Sequence, residues 1–200
     1  MSHQEVLESE LHRVHIDLPS PQKIKLASYC DELVHWNEKI NLTGLAGADL
    51  VRRLVVEPVW IGLQLKPAGV LADIGSGNGS PAIPLQVVCD FQHCHLIEVR
   101  AKRAAFLRKV TAALKLPRTE IHRSRFEEVA PTLGCADWIT LQGVSLDEKL
   151  LDAIFRTIAT TATTIVWITS SSARSPLQSK GSLRVPFTET RIFLFGMDLS

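Results

Sequence analysis

A short apolar run that ends in a glycine-rich turn constrains the fold of this chain more than any other feature. Residues 70–74 read Val-Leu-Ala-Asp-Ile, and the turn after them reads Gly-Ser-Gly-Asn-Gly-Ser. Such a run is typical of a strand buried on both faces of a parallel sheet. The three glycines allow a tight turn and let a ligand approach the backbone closely. The segment therefore predicts an open α/β sheet with a ligand site at the carboxyl end of this strand.

Strand-like and helical patterns alternate along the rest of the chain. Helical patterns cover 82–88, 102–116 and 146–161, and the predicted strands are 70–74, 94–99, 120–122, 136–141, 164–169, 183–187 and 191–195. Alternation of this kind predicts a mostly parallel sheet with helices on both faces. The last two strands are joined by only a few residues and must be antiparallel. Pro186 makes the sixth strand the weakest of these predictions.

The first 66 residues have a different pattern, with apolar residues at helical spacing. Pro21 suits the first turn of a helix that Ser20 caps. A second helix is predicted over 49–64, interrupted or bent near Pro58. We expect residues 1–66 to form a helical extension packed on the core, and 67–200 to form the α/β domain.

Composition indicates a globular protein without a polycationic character. Of its 200 residues 46% are hydrophobic and 22% charged, with a net charge of +1, so any nucleic-acid binding requires a local basic face. The four cysteines form no CxxC pair and the first ten residues are polar, which favours a cytoplasmic protein with reduced thiols. Residues 153–168 are too few and too polar to span a bilayer.

Acidic residues flank the glycine turn in a pattern typical of nucleoside binding. Asp73 lies two residues before Gly75, and Glu98 ends the second predicted strand, where a carboxylate can accept hydrogen bonds from both ribose hydroxyls. Ser80 stands where dinucleotide-binding turns carry their third glycine. The G-x-G-x-G spacing instead resembles class I S-adenosylmethionine-dependent methyltransferases. Two alternatives to nucleoside binding stay open: the glycine turn binds no ligand, and Glu98 is an ordinary exposed carboxylate at the end of a strand.

Longer motifs resemble one family more specifically, the bacterial small-subunit (16S) ribosomal RNA guanine-N7 methyltransferases, or glucose-inhibited division B family. The similar segments are 36–43 (Trp-Asn-Glu-Lys-Ile-Asn-Leu-Thr), 73–85 with its paired prolines, 96–108 and 123–128. They occur in the family's order. The resemblance implies a Rossmann-like fold with a seven-stranded sheet, S-adenosylmethionine as cofactor, small-subunit ribosomal RNA or the small subunit as partner, and a monomer.

The same resemblance assigns candidate residues. Gly75 and Ser80 would lie at the methyl donor, Glu98 would hold its ribose, and Phe126 and Glu127 would flank its adenine. The full set of candidate donor-binding residues is Asp73, Gly75, Ser76, Gly77, Gly79, Ser80, Glu98, Phe126, Glu127 and Gln142. No residue is predicted to act as a catalytic acid or base, since guanine N7 carries a free lone pair and no proton.

Several positions depart from the family pattern. Gln142 stands where the family has an arginine, which removes a charge and a two-pronged donor. Ser80 replaces a large apolar residue, and residues 54–58 read Leu-Val-Val-Glu-Pro in place of the family's His-x-x-Asp-Ser. These departures leave open a same-fold methyltransferase with a small-molecule acceptor, or a donor- or RNA-binding protein whose catalysis has decayed. A dinucleotide-dependent oxidoreductase is a remoter alternative.

A local basic bias at 100–125 predicts an RNA-binding face, with Arg100, Lys102, Arg103 and Arg123 as candidate contacts. The alternative is the exposed side of an amphipathic helix, which is commonly basic. His93 and His95 would share one face of a strand, but no matching ligands are evident elsewhere, so no metal is expected. Residues 169–182 predict a flexible loop.

Overall fold

The computed structural model describes residues 1–170 and 179–196. The helices are α1 (His3–Arg13), α2 (Ser20–Asn37), α3 (Gly47–Val51), α4 (Glu57–Leu65), α5 (Ala82–Val88), α6 (Ala101–Ala113), α7 (Phe126–Leu133) and α8 (Glu148–Thr157). The strands are β1 (Gly69–Ile74), β2 (Phe91–Ile97), β3 (Thr119–His122), β4 (Trp138–Gln142), β5 (Thr164–Ser170), β6 (Gly181–Arg184) and β7 (Thr190–Phe195). Most of the predicted loop at 169–182 lies outside the described residues.

One seven-stranded sheet forms the centre of the fold, in the order β3-β2-β1-β4-β5-β7-β6. The first five of these strands are parallel, whereas β7 runs antiparallel to both of its neighbours. The chain leaves β1 toward β2 and β3 on one side and returns to β4 on the other. This reversal of strand order opens a crevice at the carboxyl ends of β1 and β4, where ligands bind in folds of this class. The predicted fold class is confirmed.

Alternating side chains of the central strands pack on opposite faces of the sheet, in separate hydrophobic clusters. Leu71 and Leu96 pack with α5, α6 and the N-terminal helices in one hydrophobic cluster. Ala72 and Ile97 point to the opposite face and pack with α7 and α8 in another. The period of two in a strand explains this division. Because the first cluster is continuous from Leu7 to Leu114, the N-terminal helices share one core with the sheet.

The N-terminal segment is helical as predicted, with two corrections. Helix α2 begins at Ser20 itself, so Ser20 is not its cap; the N-cap residue is Pro19, and no side chain caps the helix. The helix predicted over 49–64 consists of three pieces, because a π-helical turn (Arg52–Val56) separates α3 from α4. Pro58 lies in the first turn of α4, directly after the π-helical turn, so the helix is interrupted near the proline as predicted. In the described ranges, no helix is both long and apolar enough to cross a membrane.

Two predicted strand boundaries were wrong, and one helix was missed. Strand β2 ends at Ile97, so Glu98 lies just beyond the strand. Strand β6 covers Gly181–Arg184 and stops before Pro186, which cannot donate a backbone hydrogen bond. Helix α7 was not predicted; it is only eight residues long and contains Pro131.

Candidate functional site

The glycine turn lies at the crevice and its glycines have backbone angles that favour glycine. Gly75 has φ of 77° and Gly79 has φ of 90°. A Cβ on Gly75 would lie 2.5 Å from a Val144 side-chain carbon, and one on Gly79 would lie 2.4 Å from Ile83. Both positions favour glycine by conformation, and a side chain at either one would also displace Val144 or Ile83.

Hydrogen bonds from three directions hold this turn in place. The backbone N–H groups of Gly75 and Ser76 donate to the Ile97 carbonyl at 2.9 and 3.0 Å. The Ser76 hydroxyl donates to the Asp73 carbonyl at 2.9 Å. From α2, the buried Tyr29 hydroxyl donates to the Asn78 carbonyl at 2.8 Å. The turn is therefore fixed to β2 and to the N-terminal helices before any ligand binds.

Asp73 is a buried carboxyl group with one unsatisfied oxygen. Its side chain is 1% exposed, and its Oδ1 accepts a hydrogen bond from the Thr140 hydroxyl at 2.6 Å. Its Oδ2 has no hydrogen-bond partner among the described residues. Burial raises the pKa of Asp73 to about 6, and the nearby Glu98 adds to the effect. A cationic or hydrogen-bond-donating ligand would compensate this carboxylate.

Glu98 provides a second carboxylate beside the turn. It is 5% exposed, and its Oε2 accepts the Gly77 N–H at 3.0 Å while its Oε1 accepts the Arg100 N–H at 2.7 Å. A carboxylate has about four lone-pair directions, so each oxygen retains capacity for another donor. Both backbone bonds orient Glu98 at the crevice, where it can accept hydrogen bonds from a diol.

An apolar cavity of about 310 Å³ opens next to Glu98. Its lining includes two large hydrophobic side chains. The ring of Phe126 is buried, and the side chain of Val99 is 55% exposed. The lining residues are Ile74, Gly75, Ile97, Glu98, Val99, Ser124, Arg125, Phe126, Glu127, Val144 and Leu150. A flat apolar group with an attached diol suits this combination of walls and carboxylate.

The structure divides the ten candidate donor-binding residues into three groups. Gly75, Glu98, Phe126 and Glu127 line the cavity. The residues that build the turn or support it from within are Asp73, Ser76, Gly77 and Gly79. Ser80 and Gln142 lie apart from that cavity, where the Ser80 hydroxyl donates to Gln142 Oε1 at 3.3 Å.

Three of the four candidate RNA contacts share one surface depression. Arg100, Lys102 and Arg103 line it together with Lys39 and Asn41, and its volume is about 390 Å³. The Arg103 guanidinium donates to the Asn41 carbonyl at 3.0 Å, which joins α6 to the loop after α2. A Cβ on Gly77 would lie 3.7 Å from Arg103 Nη1, so this basic surface adjoins the glycine turn. Arg123 is exposed and lies outside the lining of this depression.

Sequence reasoning missed Tyr29, Thr140 and Val144. Thr140 faces Asp73 because β1 pairs with β4, strands that are 64 or more residues apart in the chain. Tyr29 is the one tyrosine of the sequence, a signal too weak to connect it to a turn 49 residues away. These contacts depend on the sheet order and on helix packing, which no local pattern contains.

Comparison with known proteins gives a consistent family match. Residues 22–180 match the family model described as rRNA small subunit methyltransferase G. The ribosomal RNA small subunit methyltransferase G of Desulfitobacterium hafniense (strain Y51) is 36% identical over 130 residues, 64% of this chain and 54% of that protein. The protein of the same name from Wolinella succinogenes is 30% identical over 190 residues, 94% of this chain and 96% of that one. The match thus spans about half of the first relative and nearly all of the second.

Solved structures share the fold. An RNA methyltransferase from Salinibacter ruber, in complex with S-adenosyl-L-homocysteine, superposes with a TM-score of 0.59 at 18% identity, over 71% of this chain and 91% of that one. A conserved hypothetical protein from Streptococcus pyogenes gives a TM-score of 0.57 at 16% identity, over 70% and 94%. At these identities the likeness concerns the arrangement of the sheet and helices alone.

Proposed function

The chain belongs to the rRNA small subunit methyltransferase G family, and on that premise we propose that it transfers a methyl group from S-adenosylmethionine to guanine N7 of small-subunit ribosomal RNA. One observation carries the proposal: the buried Glu98 lies against the glycine turn with an apolar cavity beside it. In open α/β sheets, an acid at this place accepts hydrogen bonds from the hydroxyls of a nucleoside ribose.

The residues at the crevice fit the nucleoside part of the donor and its positive charge. Glu98 would accept the ribose hydroxyls, and Phe126 and Val99 would contact the adenine. Asp73 and Glu98 are two buried carboxyl groups without an ion-pair partner among the described residues, which favours a ligand of positive charge. The unsatisfied Asp73 Oδ2 would gain a donor when such a ligand binds.

The chemistry requires alignment more than acid–base catalysis. The donor, when bound, supplies an electrophilic methyl group on a sulfonium sulfur. The acceptor N7 has a lone pair and no proton, so no side chain has to remove one. What this chain provides is a fixed turn, held by Tyr29 and by the Ile97 carbonyl, that orients one reactant relative to the other.

The basic depression formed by Lys39, Arg100, Lys102 and Arg103 is the proposed contact for the RNA backbone. It adjoins the glycine turn, so phosphates bound there would bring a nucleotide to the crevice. N7 lies on the major-groove edge of guanine, and that groove is deep and narrow in A-form RNA. The proposal therefore includes a target guanine in a loop or turned out of its stack.

A second candidate function rests on the pair of Ser80 and Gln142. Gln142 stands where the family resemblance places an arginine and Ser80 where it places a large apolar residue, and the Ser80 hydroxyl donates to Gln142 Oε1 at 3.3 Å. A methyltransferase with a small uncharged acceptor would not need that positive charge. The same observation suits a protein that binds the donor or RNA after losing turnover.

Transfer of tritium from methyl-labelled S-adenosylmethionine separates these candidates. The acceptors are intact small subunits, deproteinised small-subunit RNA and large subunits, each with wild-type protein and with Gly77→Val as the inactive control. Label in the small-subunit arms alone, absent with Gly77→Val, is expected. Donor binding by calorimetry without label in any arm would contradict the ribosomal acceptor and favour the second candidate.

A further inference from the structure

Three histidines and a glutamate meet on one face of the sheet at its β3 edge. His93 and His95 point from β2 to the face that carries α7 and α8, as the alternation with Ile97 requires. Strand β3 pairs in register with β2, so that Glu120 lies opposite His95 and His122 opposite Ile97. The pairing of β3 with β2 thus brings Glu120 and His122 beside the two histidines, although the sequence alone shows no further ligands near them.

The ligand atoms are close enough to share one ion. His93, His95 and Glu120 offer atoms that all lie within 4.8 Å of one another. Glu120 Oε2 lies 3.5 Å from His93 Nε2, 3.7 Å from His95 Nδ1 and 3.8 Å from His122 Nε2. His95 Nδ1 and His122 Nε2 are 3.0 Å apart. Around tetrahedral zinc, with bonds of about 2.0–2.1 Å, neighbouring ligand atoms lie about 3.3 Å apart.

We propose that His93, His95 and Glu120 form a binding site for a divalent cation of the Zn²⁺ type, with His122 beside it. Two imidazoles and one carboxylate are ligands that zinc accepts, and a water molecule would complete four-coordination. The proposal does not depend on the proposed transfer of methyl groups. Cys94 lies between the two histidines in sequence, but it points to the opposite face of the sheet and contributes no ligand.

Burial of the cluster is graded in a way that suits metal entry and binding. The side chains of His95 and His122 are 9% and 14% exposed, whereas those of His93 and Glu120 are 41% and 58% exposed. An ion can enter from the open side and be held against the buried His95.

The site would also couple to the crevice through the backbone. The His122 carbonyl accepts the Glu98 N–H at 3.0 Å, and Glu98 in turn binds the glycine turn. An ion that joins β3 to β2 would therefore fix the edge strand beside the proposed ribose carboxylate. This assigns the ion a structural role, in which it stabilises the position of Glu98.

The test measures metal binding by the full-length protein. Equilibrium dialysis with Zn²⁺ gives the stoichiometry, and the visible spectrum with Co²⁺ reports tetrahedral coordination. His93→Gln and Glu120→Gln alter the exposed ligands, which the fold does not require, and His12→Gln, on the exposed side of α1, is the matched control. We expect one ion per chain, binding weakened more than about 100-fold in both ligand variants, and no change in the control.

Three results would overturn the site. The first is the absence of stoichiometric binding by the wild-type protein at micromolar Zn²⁺. The second is unchanged affinity in His93→Gln and Glu120→Gln. The third is a cobalt spectrum with thiolate charge-transfer bands, since these would place the ion on cysteine. A rise in thermal stability with Zn²⁺ that His93→Gln abolishes supports the site independently of affinity.

Discussion

Replacing Asp73 by asparagine is expected to stabilise the protein at neutral pH while weakening donor binding. The carboxyl group is 1% exposed, and burial raises its pKa from the ordinary 3.8 to about 6. This difference corresponds to about 3 kcal/mol of unfolding free energy. Asparagine can keep the hydrogen bond from the Thr140 hydroxyl through its own carbonyl oxygen, and it carries no charge to desolvate.

The sign of the pH dependence follows from which state loses its proton first. Well below pH 3.8 Asp73 is protonated in both states and costs nothing. As pH rises, the unfolded chain ionises first, so the folded state is destabilised progressively up to about pH 6 and by the full amount above it. Roughly half of this destabilisation is present at pH 5. The difference in unfolding free energy between Asp73→Asn and the wild type should therefore grow by about 1 to 2 kcal/mol between pH 5 and 7.5.

Urea denaturation of the wild type and the variant at both pH values measures this growth directly. Asp90→Asn is the control, because Asp90 is almost fully exposed and should give a difference close to zero at each pH. A stability difference for Asp73→Asn that is constant with pH, or that shrinks as pH rises, would refute the assignment of a buried, costly carboxylate.

Four further predictions concern binding and turnover. Glu98→Gln should weaken S-adenosylhomocysteine binding by about tenfold to 100-fold in calorimetry, because charged hydrogen bonds are lost. The control Glu32→Gln should bind like the wild type. Equal affinities of Glu98→Gln and the wild type would show that Glu98 does not contact the ligand. Gly77→Val should abolish donor binding, because a branched side chain at φ of 50° enters the crevice. Its circular dichroism spectrum should match that of the wild type. Retained affinity would refute the site. Gln142→Arg should raise the initial rate of methylation by about tenfold, which is the rate effect of one charged hydrogen bond. An unchanged rate would mean that the missing positive charge does not limit activity. Lys102→Ala should reduce the slope of log affinity against log salt for RNA by about one, and an unchanged slope would exclude a phosphate contact.

Local patterns were sufficient to predict the elements that position the site. The apolar run before Gly75 is a buried strand, and the change from helical to strand period near residue 66 marks where the sheet begins. The short connection before β7 required the antiparallel end of the sheet. These predictions are correct because each one depends only on residues that are close in sequence.

Contacts between distant segments could not be predicted in the same way. The bond from Thr140 to Asp73 requires that β4 returns beside β1, and the histidine cluster requires the register of β2 against β3. The sequence shows Glu120 and His122 only as ordinary polar residues of a short strand. Their proximity to His95 appears once the order of the strands is known.

The nucleoside composition of labelled small-subunit RNA tests the central claim most directly. RNA treated with the protein and tritiated S-adenosylmethionine is digested to nucleosides, which are separated against methylated standards. We expect the label to co-migrate with 7-methylguanosine, and we expect no labelled nucleoside when the RNA is treated with Gly77→Val. Label in any other nucleoside, or in none while the donor binds with normal affinity, would contradict it.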